Sequence, residues 1–409
     1  MKQTQGKRMQ YKLLTIIMLF IFILNGCGNK KYPSNQPHQT PINLNIQNTY
    51  VYIKSSPYAK VLMECIDPNI SESESCTLNT LPLIAQDTQK VSKRDIMNRL
   101  LVSDAWMAKR FSQFLDEFEG KHLNNLFGAV TAIMIHRDII PSFYTPVTGA
   151  IYLNPDYLWL TPQEADTIGT KEDSRTSYGS TLKFRTGSIY SKNSQDLPGS
   201  VSGKTRQFDD LIMPFAGLLY HELAHANDFV SPARMSTLDN EQSIYNTLTK
   251  EESTHISSLL YQQSPLLSNT LSNLGKVLFH GQKASSRQRR LTAEDIQTAF
   301  DEDRASDIYG YSNQYEDLAT LFSNAMMKVN YDVDNNVIFY DKKTKVLSEI
   351  INPVAKAAVA QRALFVANRL NPIQGGWERT FEESLGHVSY NSRGKHPTKP
   401  AILFQRPRF

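Results

Sequence analysis

Apolar residues divide the chain into a hydrophobic leader, a polar stretch and a long remainder that alternates between two periodicities. Leu13 to Leu24 is almost wholly apolar and follows a basic start at Lys2, Lys7, Arg8 and Lys12. About a dozen residues is too short to cross a bilayer as a mature helix, so residues 1–26 read as an export signal outside the fold. Residues 27–48 are polar, Pro-rich and aperiodic, which predicts a flexible tether. From near Tyr50, the residues Val51, Ile53, Val61 and Met63 predict a strand pair turning at Ser55-Ser56-Pro57. Between Val91 and Phe118, the spacing of Ile96, Leu100, Leu101, Trp106, Phe111 and Leu115 predicts one or two amphipathic helices.

Residues Phe127 to Ile140 are apolar and β-branched, and Gly149-Ala150-Ile151-Tyr152-Leu153 reads as a further strand. Residues 161–203 are rich in Ser, Thr and Lys and predict a long polar excursion, with a short hairpin around Leu182 to Tyr190. The second half is helical in pattern over Leu211 to Phe229, Glu241 to Tyr261, Ala293 to Asp307, Glu316 to Met327 and Val354 to Asn368. Tyr331 to Tyr340 predicts a small hairpin turning at Asp334-Asn335-Asn336. These elements describe one α+β domain over 49–409, predominantly helical with a small mixed sheet on its N-terminal side.

Composition agrees with a folded chain: 40% of its 409 residues are apolar, with 19 Tyr and 19 Phe available to a core. Charge changes the picture only after the leader is removed. The leader holds four basic residues and no acid, so the remainder carries 40 Lys and Arg against 40 Asp and Glu. Nothing in that balance argues for a nucleic-acid partner. Cys65 and Cys76 flank a Ser-rich loop, and in an oxidising compartment they read as a disulfide; a reduced, buried pair is the alternative. The chain-entropy argument assigns so short a loop roughly 3 kcal/mol.

The leader ends in Leu24-Asn25-Gly26-Cys27, which resembles the lipobox of bacterial lipoproteins. That resemblance implies cleavage before Cys27, acylation of Cys27 and attachment of the chain to a membrane of the cell envelope. Gly28 lacks the Asp associated with inner-membrane retention, so an outer-membrane location is expected where two membranes exist.

Chemistry concentrates in Ala216-Gly217-Leu218-Leu219-Tyr220-His221-Glu222-Leu223-Ala224-His225, which contains His-Glu-x-x-His in a helix-forming, apolar context. Residues i and i+4 share a helix face, so both imidazoles can hold one ion, while Glu222 projects beside them. Two solvated histidines on a surface helix are the bland alternative. The apolar residues preceding His221 argue against it, because they predict a buried helix. A zinc peptidase site needs a third protein ligand and one open position. Tyr309-Gly310-Tyr311-Ser312-Asn313-Gln314-Tyr315-Glu316, leading into a helical segment, offers Glu316.

Together the two segments resemble the gluzincin zinc peptidases, most closely the branch containing the anthrax lethal-factor catalytic domain and the Pro-Pro endopeptidases. In that branch a Tyr stands seven positions before the ligand Glu, as Tyr309 stands before Glu316. The resemblance implies a zincin-like fold and one zinc ion per chain held by His221, His225 and Glu316. It further implies that Glu222 acts as general base, that Tyr309 stabilises an oxyanion, and that the substrate is a protein or peptide cut internally. The branch often has a second acid four residues after the ligand Glu, where this chain has Thr320.

Several readings stay open in the sequence. Tyr311 and Tyr315 rival Tyr309. Asp228 either orients a ligand or is a solvated acid near a helix end. Gly149 to Leu153 is either an edge strand that pairs with an extended substrate or simply a strand. His136, His255, His280 and His387 have no ligand-like neighbours. A lipid-anchored binding or structural envelope protein is the competing class, against which the intact Glu222 argues.

Overall fold

The computed structural model describes residues 44–385 apart from 89, 170–172, 198–204 and 344, together with 391–394. The expected export signal, the expected lipidation site Cys27 and most of the expected tether lie outside the described residues. The described residues form one unit of mixed α/β structure in which helix predominates. No helix among the described residues is long and apolar enough to cross a membrane.

The first sheet is mixed and five-stranded, in the order β1-β2-β3-β5-β4. Its strands are β1 (Tyr50–Val51), β2 (Leu100–Val102), β3 (Ile133–Ile135), β4 (Phe143–Thr145) and β5 (Ala150–Leu153). The β2/β3 and β3/β5 pairs are parallel; β1 and β4 run antiparallel at the two edges. Successive side chains on a strand face opposite sides. Leu100, Val102, Ile133, Ile135, Ile151 and Leu153 enter the main core, whereas Leu101, Met134 and Tyr152 pack with Leu62, Cys65 and Ile66 on the other face. A sheet buried on both sides needs short, wholly apolar strands. That explains why Leu100 and Leu101, expected in a helix, form a strand instead. They sit between a helix at Lys93–Met97 and another at Ala105–Glu117. Val61 and Met63, expected in a strand, flank and enter the short helix Leu62–Cys65, and Cys65 is disulfide-bonded to Cys76.

The polar excursion contributes the hairpin expected around Leu182 to Tyr190, as β6 and β7, to a second sheet whose other strands come from residues 334–394. That sheet is wholly antiparallel, in the order β10-β9-β8-β6-β7. Its strands are β6 (Arg185–Lys192), β7 (Gln195–Asp196), β8 (Asp334–Tyr340), β9 (Val346–Ile351) and β10 (Asn391–Gly394). The expected turn at Asp334-Asn335-Asn336 is instead the start of the continuous strand β8, and the hairpin closes between β8 and β9. Phe184, Val337, Phe339 and Ile350 pack one side of this sheet against Leu271, Leu274 and Leu278 of a further helix, Asn269–Phe279.

Two helices cross the main core and carry the chemistry-bearing residues. The His helix, Asp209–Phe229, has sixteen buried residues, so it is apolar nearly all round. The Glu helix, Gln314–Tyr331, packs along it, with the Tyr220 and Phe322 rings edge to face at 6.3 Å. The expected helix over Glu241 to Tyr261 breaks in two, at Ile244–Thr249 and Ile256–Gln263.

Candidate metal centre

Glu316 reaches the site because of how its helix begins. Asn313 adopts an extended backbone and its side-chain Oδ1 accepts from the N–H groups of Tyr315 and Glu316, both at 2.9 Å. Such a cap fixes the first turn, and the positive end of the helix favours an ionised Glu316 there. The preceding 3-10 turn, Ile308–Tyr311, is capped in the same way: Asp307 Oδ1 accepts from the Tyr309 N–H at 2.8 Å. Two capped turns in succession set Tyr309 and Glu316 at a fixed spacing.

The structure brings His221, His225 and Glu316 together. His221 Nε2 lies 3.0 Å from Glu316 Oε2, His225 Nε2 lies 3.2 Å from His221 Nε2, and His225 Nε2 lies 3.4 Å from Glu316 Oε2. Among the described residues this is the one group of three or more His, Cys, Asp or Glu side chains positioned to share an ion. The triangle could hold a metal ion. Donor atoms about 2.0–2.1 Å from a tetrahedral zinc stand about 3.3–3.4 Å apart, close to all three edges observed. Three protein donors on one side leave one tetrahedral position for water or substrate.

The protonation pattern follows from burial and mutual charge. Burial alone would raise the Glu316 carboxyl, but the charge of His225 and hydrogen bonds from both imidazoles outweigh it and hold Glu316 below the usual carboxylate range. Burial works against a charged His225 too, yet Glu316 and Glu222 raise it. His221 is lowered, burial being the larger influence. In the metal-free site Glu316 is thus favoured as the carboxylate, and His225 is biased towards its charged form more than His221 is. Glu222 is 2% exposed, and burial followed by repulsion from Glu316 pushes its carboxyl up to about 8, with His225 and Arg175 pulling the other way.

Tyr309 stands beside the triangle: its ring centre is 6.1 Å from that of His221 and is held edge-on by Phe279 at 5.0 Å. Its rivals are engaged elsewhere. The Tyr311 hydroxyl donates to Asp303 Oδ2 at 2.8 Å, and the Tyr315 hydroxyl donates to Glu252 Oε1 at 2.7 Å. Thr320, where a second acid was the family expectation, donates its hydroxyl to the Glu316 carbonyl at 2.8 Å.

Asp228 is neither solvated nor bonded to a ligand imidazole. It is 1% exposed, and Oδ1 accepts the Ser257 N–H at 2.7 Å, tying the end of the His helix to the start of the next one. β5 is not an edge strand, because β3 and β4 flank it; the edge is β4. His136, His255 and His280 are bonded to backbone carbonyls away from the site, and His387 lies outside the described residues.

Three residues of the site carry no motif. Arg175, in the polar excursion, is salt-bridged to Asp173 (Nη2 to Oδ2, 2.6 Å), and Tyr309 and Glu316 help hold its charge in spite of burial. Tyr190 and Asp307 line a cleft, partly open to solvent, that begins at His221. One face of the His helix, Pro214, Gly217, Leu218 and His221, forms a wall of it. Gly217 is required there: a Cβ would stand 2.1 Å from the Tyr190 hydroxyl. An interior Gly costs a helix roughly 1 kcal/mol relative to Ala, so close approach of β6 takes precedence over helix propensity.

Comparison with family models, with curated proteins and with solved structures finds no match to this chain.

Proposed function

We propose that this chain is a zinc-dependent endopeptidase of the gluzincin type with a zincin-like fold, exported and held at the cell envelope through a lipid on Cys27. The observation that carries the reading is the donor triangle of His221, His225 and Glu316, with Glu222 buried one residue after the first histidine. A mixed sheet preceding the His helix, and a ligand Glu contributed by a later helix, support the same reading.

His221 Nε2, His225 Nε2 and Glu316 Oε2 would hold the ion. A divalent ion there supplies Lewis acidity: it acidifies water towards neutrality, polarises a carbonyl and offsets the burial that keeps Glu222 protonated. The remaining work belongs to the chain. Glu222, ionised, takes a proton from the attacking water and returns it to the departing amine. Tyr309 donates its phenolic hydrogen to the oxygen on which negative charge develops. The buried helices exclude water from that proton path, which strengthens both interactions.

The test is proteolysis. The purified, zinc-supplemented full chain should cleave protein or peptide substrates, and Glu222→Gln should keep its zinc while losing turnover. A Gln variant as active as the wild type would rule out the assigned base and, with it, this mechanism.

A further inference from the structure

The cleft beside His221 has a chemical bias that the catalytic residues do not explain. Its walls combine apolar surface, from Pro214, Leu218 and the Tyr190 ring, with hydroxyl and amide groups and one carboxylate. Asp307 is the only acid lining it, and no Lys or Arg lines it. The Asp307 carboxylate accepts from the Ser188 hydroxyl at 2.6 Å and from the Tyr309 N–H at 2.8 Å. None of the ion pairs among the described residues involves Asp307. Asn335, also in the lining, donates Nδ2 to Asn324 Oδ1 at 2.8 Å.

We infer that this cleft is a specificity pocket for a cationic side chain, lysine or arginine, of an extended peptide, with Asp307 as counter-ion. The inference rests on the peptidase reading and names its substrate class. Lysine and arginine match the pocket in both parts, an apolar stem for the Leu218 and Tyr190 walls and a donor-only head for the Asp307 carboxylate. A neutral residue would bury the same surface and leave the Asp307 charge without a counter-ion, which is how a polar pocket disfavours the wrong side chain. Adjacency to His221 puts the selected residue next to the scissile bond. Helix design agrees: Gly217 disfavours the helix that carries the metal ligands, yet it is the residue that lets Tyr190 close the pocket wall.

Two measurements on the zinc-loaded full chain test this. A peptide-library cleavage profile should show Lys or Arg preferred over Gln at one position beside the cut by at least roughly tenfold in kcat/KM. Asp307→Asn, which keeps an acceptor for the Tyr309 N–H, should bring that ratio close to unity. Asn335→Lys, which leaves both Asp307 hydrogen bonds intact, should do the same by supplying the cation itself. Separately, calorimetric titration with agmatine, a guanidinium on an alkyl stem, should show saturable binding to the wild type that both variants lose. Agmatine binding without cleavage of any peptide would uphold the pocket and remove the peptidase reading. Cleavage without a basic preference, or agmatine binding unchanged in Asp307→Asn, would overturn the pocket and leave the peptidase reading standing.

Discussion

Glu316 Oε2 and His221 Nε2 are 3.0 Å apart although 95 positions separate them in the chain. Each is delivered by a separate local device, the apolar burial of the His helix and the Asn313 cap of the Glu helix. Their meeting is therefore a property of the fold rather than of either segment. Bringing a carboxylate into contact with two imidazoles in a dry setting costs desolvation free energy, which a shared ion would offset.

Protons and metal compete for this triangle. Ligand imidazoles bind only when deprotonated, and Glu316 raises His225 in the metal-free form. Zinc affinity, measured by competition with a chromophoric chelator, should fall as the solution is acidified from about pH 8 to about pH 6, with proton uptake as the ion leaves. Affinity independent of pH over that window would mean that His225 is not a ligand.

Glu222 should reveal itself in the metal-free protein. Its folded value of about 8 lies above the ordinary 4.5, so its contribution to stability is complete below the lower figure and is lost as pH rises through the upper one. Gln cannot titrate. The melting temperature of the metal-free wild type should accordingly drop relative to that of metal-free Glu222→Gln as pH rises from 4.5 to about 8. A constant difference between the two would contradict the burial argument. With zinc present, the same variant should lose turnover by roughly 10²–10⁴-fold, the usual contribution of a positioned proton-transfer group.

Tyr309→Phe removes one hydroxyl and keeps the ring that packs on Phe279. Zinc content and folding should be unchanged, while kcat should fall by roughly 10²–10³-fold, the effect of losing one oxyanion donor. Tyr311→Phe and Tyr315→Phe should leave the chemical step intact, because their hydroxyls serve Asp303 and Glu252. Equal losses in all three variants would remove the special role given to Tyr309.

Asp317, next to the ligand Glu, forms a buried ion pair with Arg362, which also donates to the Ser264 and Arg304 carbonyls. Asp317→Ala leaves that guanidinium uncompensated and should cost about 3–5 kcal/mol in denaturant unfolding. Replacing both partners with apolar residues of similar volume should recover much of the loss. An additive outcome would show that the two do not act as a pair.

Sequence made the two site helices legible for physical reasons. The His-Glu-x-x-His spacing follows from helix geometry, and the burial of His221 from the apolar residues before it. Regions where burial is two-sided or partners are distant were not legible. Leu100 and Leu101 are as apolar as any helix core, and only pairing with β1 and β3 makes them a strand. The excursion around Arg185–Lys192 reads as polar because β6 buries Thr186 and Ser191 as well as Ile189, and its partner β8 lies far along the chain. Tyr190 reaches the site on β6, Arg175 from the turn Ser174–Ser177 and Asp307 from the cap of Ile308–Tyr311, so no local spacing announces them. For Asp228 the sequence admitted a ligand-orienting role or a solvated one, and the structure shows a third, the bond to Ser257 that ties two helices together.

Metal content tests the His221, His225 and Glu316 triangle most directly. Full-length protein, supplemented with zinc and then desalted, should retain close to one zinc ion per chain by elemental analysis, release it to a strong chelator, and retain little after His221→Ala or Glu316→Ala. Wild-type protein that is folded but holds no zinc after supplementation, or variants that hold as much as the wild type, would contradict a metal centre there.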